Sequence, residues 1–131
     1  MNTSNPSVRT NLKPQMQVLQ VLLVEDHTDS RAVLNTLLNR CGCRTVTAKT
    51  FKEACARLDE MRFDILIADL GLPDGDGLDL LQYARTNQSL KTIALTARSS
   101  EEERNRGVEA GFDYYLTKPV DFNALREALR N

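Results

Sequence analysis

"DILIADLGLPDGDG", residues 64–77, decides the fold. An unbroken apolar run from Ile65 to Ala68 ends in Asp69 and gives way to a loop dense in glycine and acid. A short apolar run bounded by turn residues reads as a strand covered on both faces. Strands of that kind belong to parallel sheets with helices on either side. Asp69 then stands at the carboxyl end of a buried strand, with Asp74 and Asp76 close behind it. Whether those acids act together depends on what else the chain brings to the same edge.

Outward from this stretch the chain alternates regularly. "VLQVLLVED" (18–26) is a strand ending in Glu25 and Asp26, and "SRAVLNTLLNR" (30–40) a helix with Ala32, Val33, Leu34, Leu37 and Leu38 at helical spacing. Thr28, Asp29 and Ser30 are available to cap that helix. "RTVTA" (44–48) is a short strand. "FKEACARLDEM" (51–61) is a helix with Thr50 as its cap and Phe51, Ala54, Cys55 and Leu58 at helical spacing. "FDILIAD" (63–69) is a strand, "GLDLLQYARTN" (77–87) a helix and "KTIALTA" (91–97) a strand. "SSEEERNRGVEAG" (99–111) is a polar helix with acids in its first turn and Gly111 past its end. "DYYLTKP" (113–119) is the last strand and "DFNALREALRN" (121–131) the last helix, with Asp121 at its cap. Five β-α units with near-continuous apolar strands predict an α/β fold, a doubly wound five-stranded parallel sheet. Residues 1–17 are polar, carry Pro6 and Pro14, and read as a flexible tail or linker ahead of a single domain spanning 18–131.

Bulk properties exclude several classes. With 17 basic and 18 acidic residues, a net charge of −1 offers no field to draw in nucleic acid or an anionic membrane. No apolar run reaches the roughly 18–20 residues needed to span a bilayer, and the start lacks a signal-peptide core, so a cytoplasmic location is expected. Cys41, Cys43 and Cys55 cannot all pair within one chain, and no zinc spacing links them to His27. They read as ordinary thiols near a helix-to-strand turn. His27 itself reads as an exposed or capping residue.

In open α/β sheets, ligands bind outside the carboxyl ends of the strands. Those ends carry Glu25 and Asp26, then Asp69, then Thr96, then Lys118 followed by Pro119. Any one of these is ordinary loop chemistry, but no cap requires Glu25, Asp26 and Asp69 crowded together. Like charges that close disfavour ionisation unless a cation neutralises them. Mg2+, a hard ion with oxygen ligands, suits the site, and Lys118 adds positive charge. A carboxylate in such surroundings can act as nucleophile toward a phosphoryl group, with Thr96 and Lys118 answering the charge on its oxygens.

At "LLVEDH", "ILIADLGLPDGDG", "IALTA" and "YYLTKP" the sequence resembles the receiver domains of two-component response regulators, over roughly residues 18–131. The resemblance implies a flavodoxin-like sheet of order 2-1-3-4-5 and Asp69 as phosphoacceptor. It further implies Mg2+, or Mn2+ in its place, held by Asp26, Asp69 and the backbone carbonyl of Gly71, with Glu25 acting through water. Thr96 and Tyr115 become switch residues acting on the face formed by the 99–111 helix, the 113–119 strand and the last helix. Lys118-Pro119 matches the family's cis peptide. A histidine kinase or histidine phosphotransfer domain is the implied partner, and the chain is expected as a monomer or weak dimer that acts catalytically only on itself. "VEDHTDSR" and "LGLPDGDGLDLL" resemble receivers attached to hybrid sensor histidine kinases, so the chain is expected either as a stand-alone receiver or as part of such a protein.

Two alternatives remain at this point. A Mg-dependent phosphohydrolase with an aspartyl nucleophile is expected to place a second acid two residues on, where this chain has Gly71. A docking-only degenerate receiver does not need the full set of Glu25, Asp26, Asp69, Thr96 and Lys118. Neither a phosphate-binding glycine loop nor an EF-hand is present; Asp74 and Asp76 read as loop and helix-start acids. Gly71 cannot orient an attacking water and Arg98, two residues after Thr96, is a candidate to cover the phosphoryl group, so hydrolysis that is not specially fast is expected.

Overall fold

The computed structural model describes residues 18–97 and 111–130, together with Glu101 and Asn105. Along the chain run β1 (Gln20–Val24), α1 (Thr28–Arg40), β2 (Arg44–Ala48), α2 (Phe51–Glu60), β3 (Ile65–Asp69), β4 (Gly71–Leu72), β5 (Gly75–Asp76), α3 (Gly77–Asn87), β6 (Lys91–Ala97), β7 (Tyr114–Lys118) and α4 (Phe122–Arg130). Five strands form one parallel sheet in the order β2-β1-β3-β6-β7. That is the predicted 2-1-3-4-5, renumbered because β4 and β5 form a small antiparallel ribbon just after Asp69. The tail at 1–17, Arg98 and most of the helix expected at 99–111 lie outside the described residues; Glu101 and Asn105 are helical.

The sheet is covered on both faces, as the apolar runs require. Val21 and Leu23 of β1 and Ile65 and Ile67 of β3 pack with Leu34 and Leu38 of α1 and Leu125 and Leu129 of α4. Their neighbours Leu22, Val24, Leu66 and Ala68 turn the other way, onto Ala54 and Leu58 of α2 and Leu80 and Ala84 of α3. The two-residue period of the strand sends adjacent side chains to opposite faces, so both compartments draw on the same strands. Among the described residues, no helix is long and apolar enough to cross a membrane.

Helix α1 departs from expectation. It begins at Thr28 with His27 as N-cap and no capping side chain, because the chain turns helical directly after the acid pair. Thr28, Asp29 and Ser30 therefore do not cap it, and Ala32 and Val33 are exposed rather than packed. The other caps form: Thr50 accepts from Glu53 N at 3.0 Å, Asp76 Oδ1 from Leu78 N at 2.9 Å and Asp121 Oδ2 from Ala124 N at 3.0 Å. Cys41 ends α1, Gly42 follows at φ +83°, and Cys43 is buried with its thiol pushed up to about 11, chiefly by desolvation. All three thiols are free.

The loop after Asp69 is tied to both neighbouring helices. Asp74 accepts from Phe51 N at 2.7 Å and Lys52 N at 3.1 Å, so it caps α2 from outside that helix. Gly77 opens α3 directly beneath Asp69, and a methyl there would meet the Asp69 carbonyl oxygen at 2.7 Å and Leu70 Cα at 2.8 Å. Both atoms are backbone and cannot rotate away. Gly77→Ala is expected to cost about 1–3 kcal/mol, as overpacking does, read as a lowered urea midpoint at unchanged m-value. An unaltered midpoint would mean that this loop has slack the packing does not suggest.

Candidate functional site

Three strand ends meet above the sheet. Val24 closes β1 and Glu25 continues beyond it, its backbone N–H held by Ala48 O at 3.0 Å, so Glu25 is carried inward with no solvent exposure. Asp26 follows, partly exposed. Asp69 ends β3 at 6% exposure, and Lys118 ends β7. Lys118 Nζ donates to Asp69 Oδ2 at 2.8 Å and forms an ion pair with Glu25 Oε1 at 2.7 Å. Burial alone would depress the Lys118 ammonium; its hydrogen bonds and charge contacts with Asp69 and Glu25 outweigh that and raise its pKa, keeping it charged at neutral pH.

The second oxygen of Asp69 is also held. Oδ1 accepts from Gly71 N at 2.9 Å, a contact made possible because the chain turns immediately after β3. Thr96, 1% exposed, lies one residue beyond Leu95, the β6 partner of Asp69, and pairs in register with Thr117, next to Lys118. Hydroxyl, ammonium and carboxylate thus stand on three adjacent strands. Tyr115 pairs with Ala94 and sits half-buried with Leu70, Leu81 and Phe112, its ring edge-on to Phe112 at 6.4 Å between centroids. The Lys118-Pro119 peptide is cis.

Glu25, Asp26, Asp69, Gly71, Thr96 and Lys118 are therefore brought to one edge, with Tyr115 further back in β7, and one unforeseen residue joins them. Arg31 of α1 reaches back and donates from Nη1 to the carbonyls of Glu25 at 3.0 Å and Asp26 at 3.2 Å, fixing the acid-bearing turn. Its spacing of five and six residues fits no helix pairing rule, so the sequence offered no signal. His27, expected to be exposed or capping, is exposed and holds the N-cap position of α1 without a side-chain cap bond. Its ring Nδ1 also stands 3.2 Å from Glu25 Oε2 and 3.5 Å from Asp26 Oδ1.

Glu25, Asp26, His27 and Asp69 each offer a ligand atom within 4.8 Å of the others. Asp26 Oδ1 is buried without a hydrogen-bond partner, an oxygen that a divalent cation would satisfy. The donors present fit such an ion.

Comparison with known proteins agrees. A family model for the response regulator receiver domain matches residues 21–130. The transcriptional regulatory protein KdpE of the KDP operon of Escherichia coli K12 is 37% identical over 110 residues, covering 84% of this chain and 49% of that protein. An uncharacterised 14.6 kDa protein of Leptolyngbya boryana is 36% identical over 106 residues, 79% of this chain and 81% of its own. Several of the curated relatives are thus about twice as long as the part matched. Among solved structures, the receiver domain of a sensor histidine kinase from Pseudomonas aeruginosa PAO1 superposes with a TM-score of 0.78 at 28% identity. The match covers 87% of this chain and 96% of that one, which carries a magnesium ion coordinated in its active-site cleft.

Removing the Lys118 ammonium leaves Glu25 buried beside Asp69 with no counter-charge. Lys118→Met is expected to cost roughly 3 kcal/mol at neutral pH, measured by urea unfolding without added metal. A loss below about 0.5 kcal/mol would show that the acids do not rely on the lysine.

Proposed function

The chain belongs to the response regulator receiver domain family, and from that premise we propose that it accepts a phosphoryl group on Asp69. The observation that carries this reading is the setting of Asp69, a buried carboxylate whose two oxygens are oriented by Gly71 N–H and the Lys118 ammonium. The donor is a phosphohistidine on a histidine kinase or histidine phosphotransfer domain. An Asp69 oxygen attacks phosphorus, the nitrogen–phosphorus bond breaks, and its electron pair leaves with the imidazole. The product is an aspartyl phosphate.

Transfer of this kind is positioning plus electrostatics. Lys118 answers charge on the transferred group, and the Thr96 hydroxyl donates to another of its oxygens. A bound Mg2+, or Mn2+, supplies the remaining neutralisation. Asp26, Asp69 and the Gly71 carbonyl would hold it, with Glu25 acting through water. Phosphorylation then draws Thr96 inward and Tyr115 follows, changing the face made with β7 and α4. The chain acts catalytically only on itself, and its work belongs in the cytoplasm with its kinase.

Incubation with Mg2+ and acetyl phosphate or phosphoramidate is expected to add one phosphoryl mass to the wild type and none to Asp69→Asn. No gain in the wild type, or an equal gain in the variant, would refute the reading. Because Gly71 brings no side chain to guide water, Gly71→Asn is expected to leave phosphoryl decay unchanged or hasten it, followed on Phos-tag gels. Slower decay in that variant would overturn the expectation that the phospho-form is not specially fast to hydrolyse.

A further inference from the structure

The amino edge of the sheet, opposite the acid cluster, carries basic residues instead. A groove of about 390 Å3 opens there between the end of α1 and the flank of α4. Leu19, Cys43, Phe122 and Leu129 give it an apolar lining, of which Cys43 and Leu129 are buried. Arg40, Arg126 and Arg130 line it too, and among the described residues no acid does. Several other arginines are answered: Arg57 by Glu53 and Glu60, Arg85 by Asp113, Arg31 by the carbonyls of Glu25 and Asp26. Arg40, Arg126 and Arg130 are exposed, and none of them meets a carboxylate among the described residues. Arg126 lies over the Phe122 ring at 5.7 Å, which keeps its guanidinium beside the apolar lining. The charge is felt at Cys41 in the same groove: burial pushes that thiol up, and Arg126 draws it part of the way back.

We propose that this groove docks an acidic, amphipathic peptide segment of a partner protein. Large aliphatic or aromatic residues of the segment enter the groove, and Asp or Glu beside them meet Arg40, Arg126 and Arg130. A guanidinium is planar and weakly hydrated and grips a carboxylate through two parallel hydrogen bonds, which suits it to a contact that is partly apolar. Phe122, Arg126 and Arg130 stand four residues apart on α4, so ring and charges repeat along one flank of the helix, as a peptide lying in the groove requires. Charge argues against the chain's own start as occupant, since residues 1–17 carry Arg9 and Lys13 and no acid. A second copy would offer Glu101, Glu102 and Glu103, but residues 99–106 hold no large apolar side chain to fill the groove. A bilayer surface does not follow a recess between two helices. The inference draws nothing from phosphoryl transfer to Asp69, which belongs to the other edge of the sheet.

A peptide-display selection on the full wild-type chain, depleted at each round on a variant carrying Arg40→Gln and Arg126→Gln, tests this. Enriched peptides are expected to set Asp or Glu around Leu, Ile or Phe. By calorimetry they are expected to bind the double variant about tenfold or more weaker than wild type, and to weaken as salt rises. Amide shifts on binding are expected to move at Leu19, Cys41 and Phe122 and to stay at Glu25 and Asp69. A urea midpoint near that of wild type separates lost binding from lost folding; should the double variant unfold early, Arg130→Gln alone takes its place. No peptide surviving the depletion, survivors without acids, or equal binding to the variant would overturn the docking site. A wild-type dimer in sedimentation that Arg126→Gln dissolves would assign the groove to a second copy. Binding to phosphatidylglycerol vesicles in preference to the selected peptides would assign it to a lipid surface, and either result would likewise overturn the proposal.

Discussion

Lys118 Nζ lies 2.7 Å from Glu25 and 2.8 Å from Asp69, and Glu25 has no access to solvent, so this ammonium is the contact on which the acid-bearing edge depends. Two carboxylates held this close need a cation between them, and the geometry of the edge follows. β7 must lie within a side chain's reach of β3, which it does across β6, and the loop leaving β1 must turn Glu25 inward. Arg31 secures that turn by holding the carbonyls of Glu25 and Asp26.

The loop after Asp69 extends the same order into the helices. Asp74 caps α2, Asp76 caps α3, and Gly77 sits against the Asp69 carbonyl. A second tie closes the far end of the same helix pair. Gln88, at the end of α3, accepts from Phe63 N and donates to Leu58 O and Met61 O. Helices α2 and α3 are thus fastened at both ends, and Asp69 stands over a platform with little room to shift.

Much of this was legible in the sequence because each strand carries its own local signature. β3 reads as apolar throughout since both its faces are covered, and its terminal acid is conspicuous for that reason. The same rule located β1 and β6, and the strand ends then named Glu25, Asp26, Asp69, Thr96 and Lys118. What stayed hidden was contact between segments with no shared pattern. Asp74 was read as a loop acid, which it is by position, but its partners Phe51 and Lys52 belong to an earlier helix. Arg31 and Val33 look alike as members of α1, yet one clamps the site and the other faces solvent, because the angle of α1 on the sheet decides which flank is covered.

The pairing of Glu25 with Lys118 also joins nearly the first described strand to the last. Strands β1 and β3 bring Glu25, Asp26 and Asp69 together, whereas the neutralising ammonium arrives only with β7. Long-range parallel pairings already come slowly, because loop closure precedes the contacts that reward it. The charge balance of this edge is therefore a long-range property, complete only when strands far apart in the chain, β1 and β7, are both in the sheet.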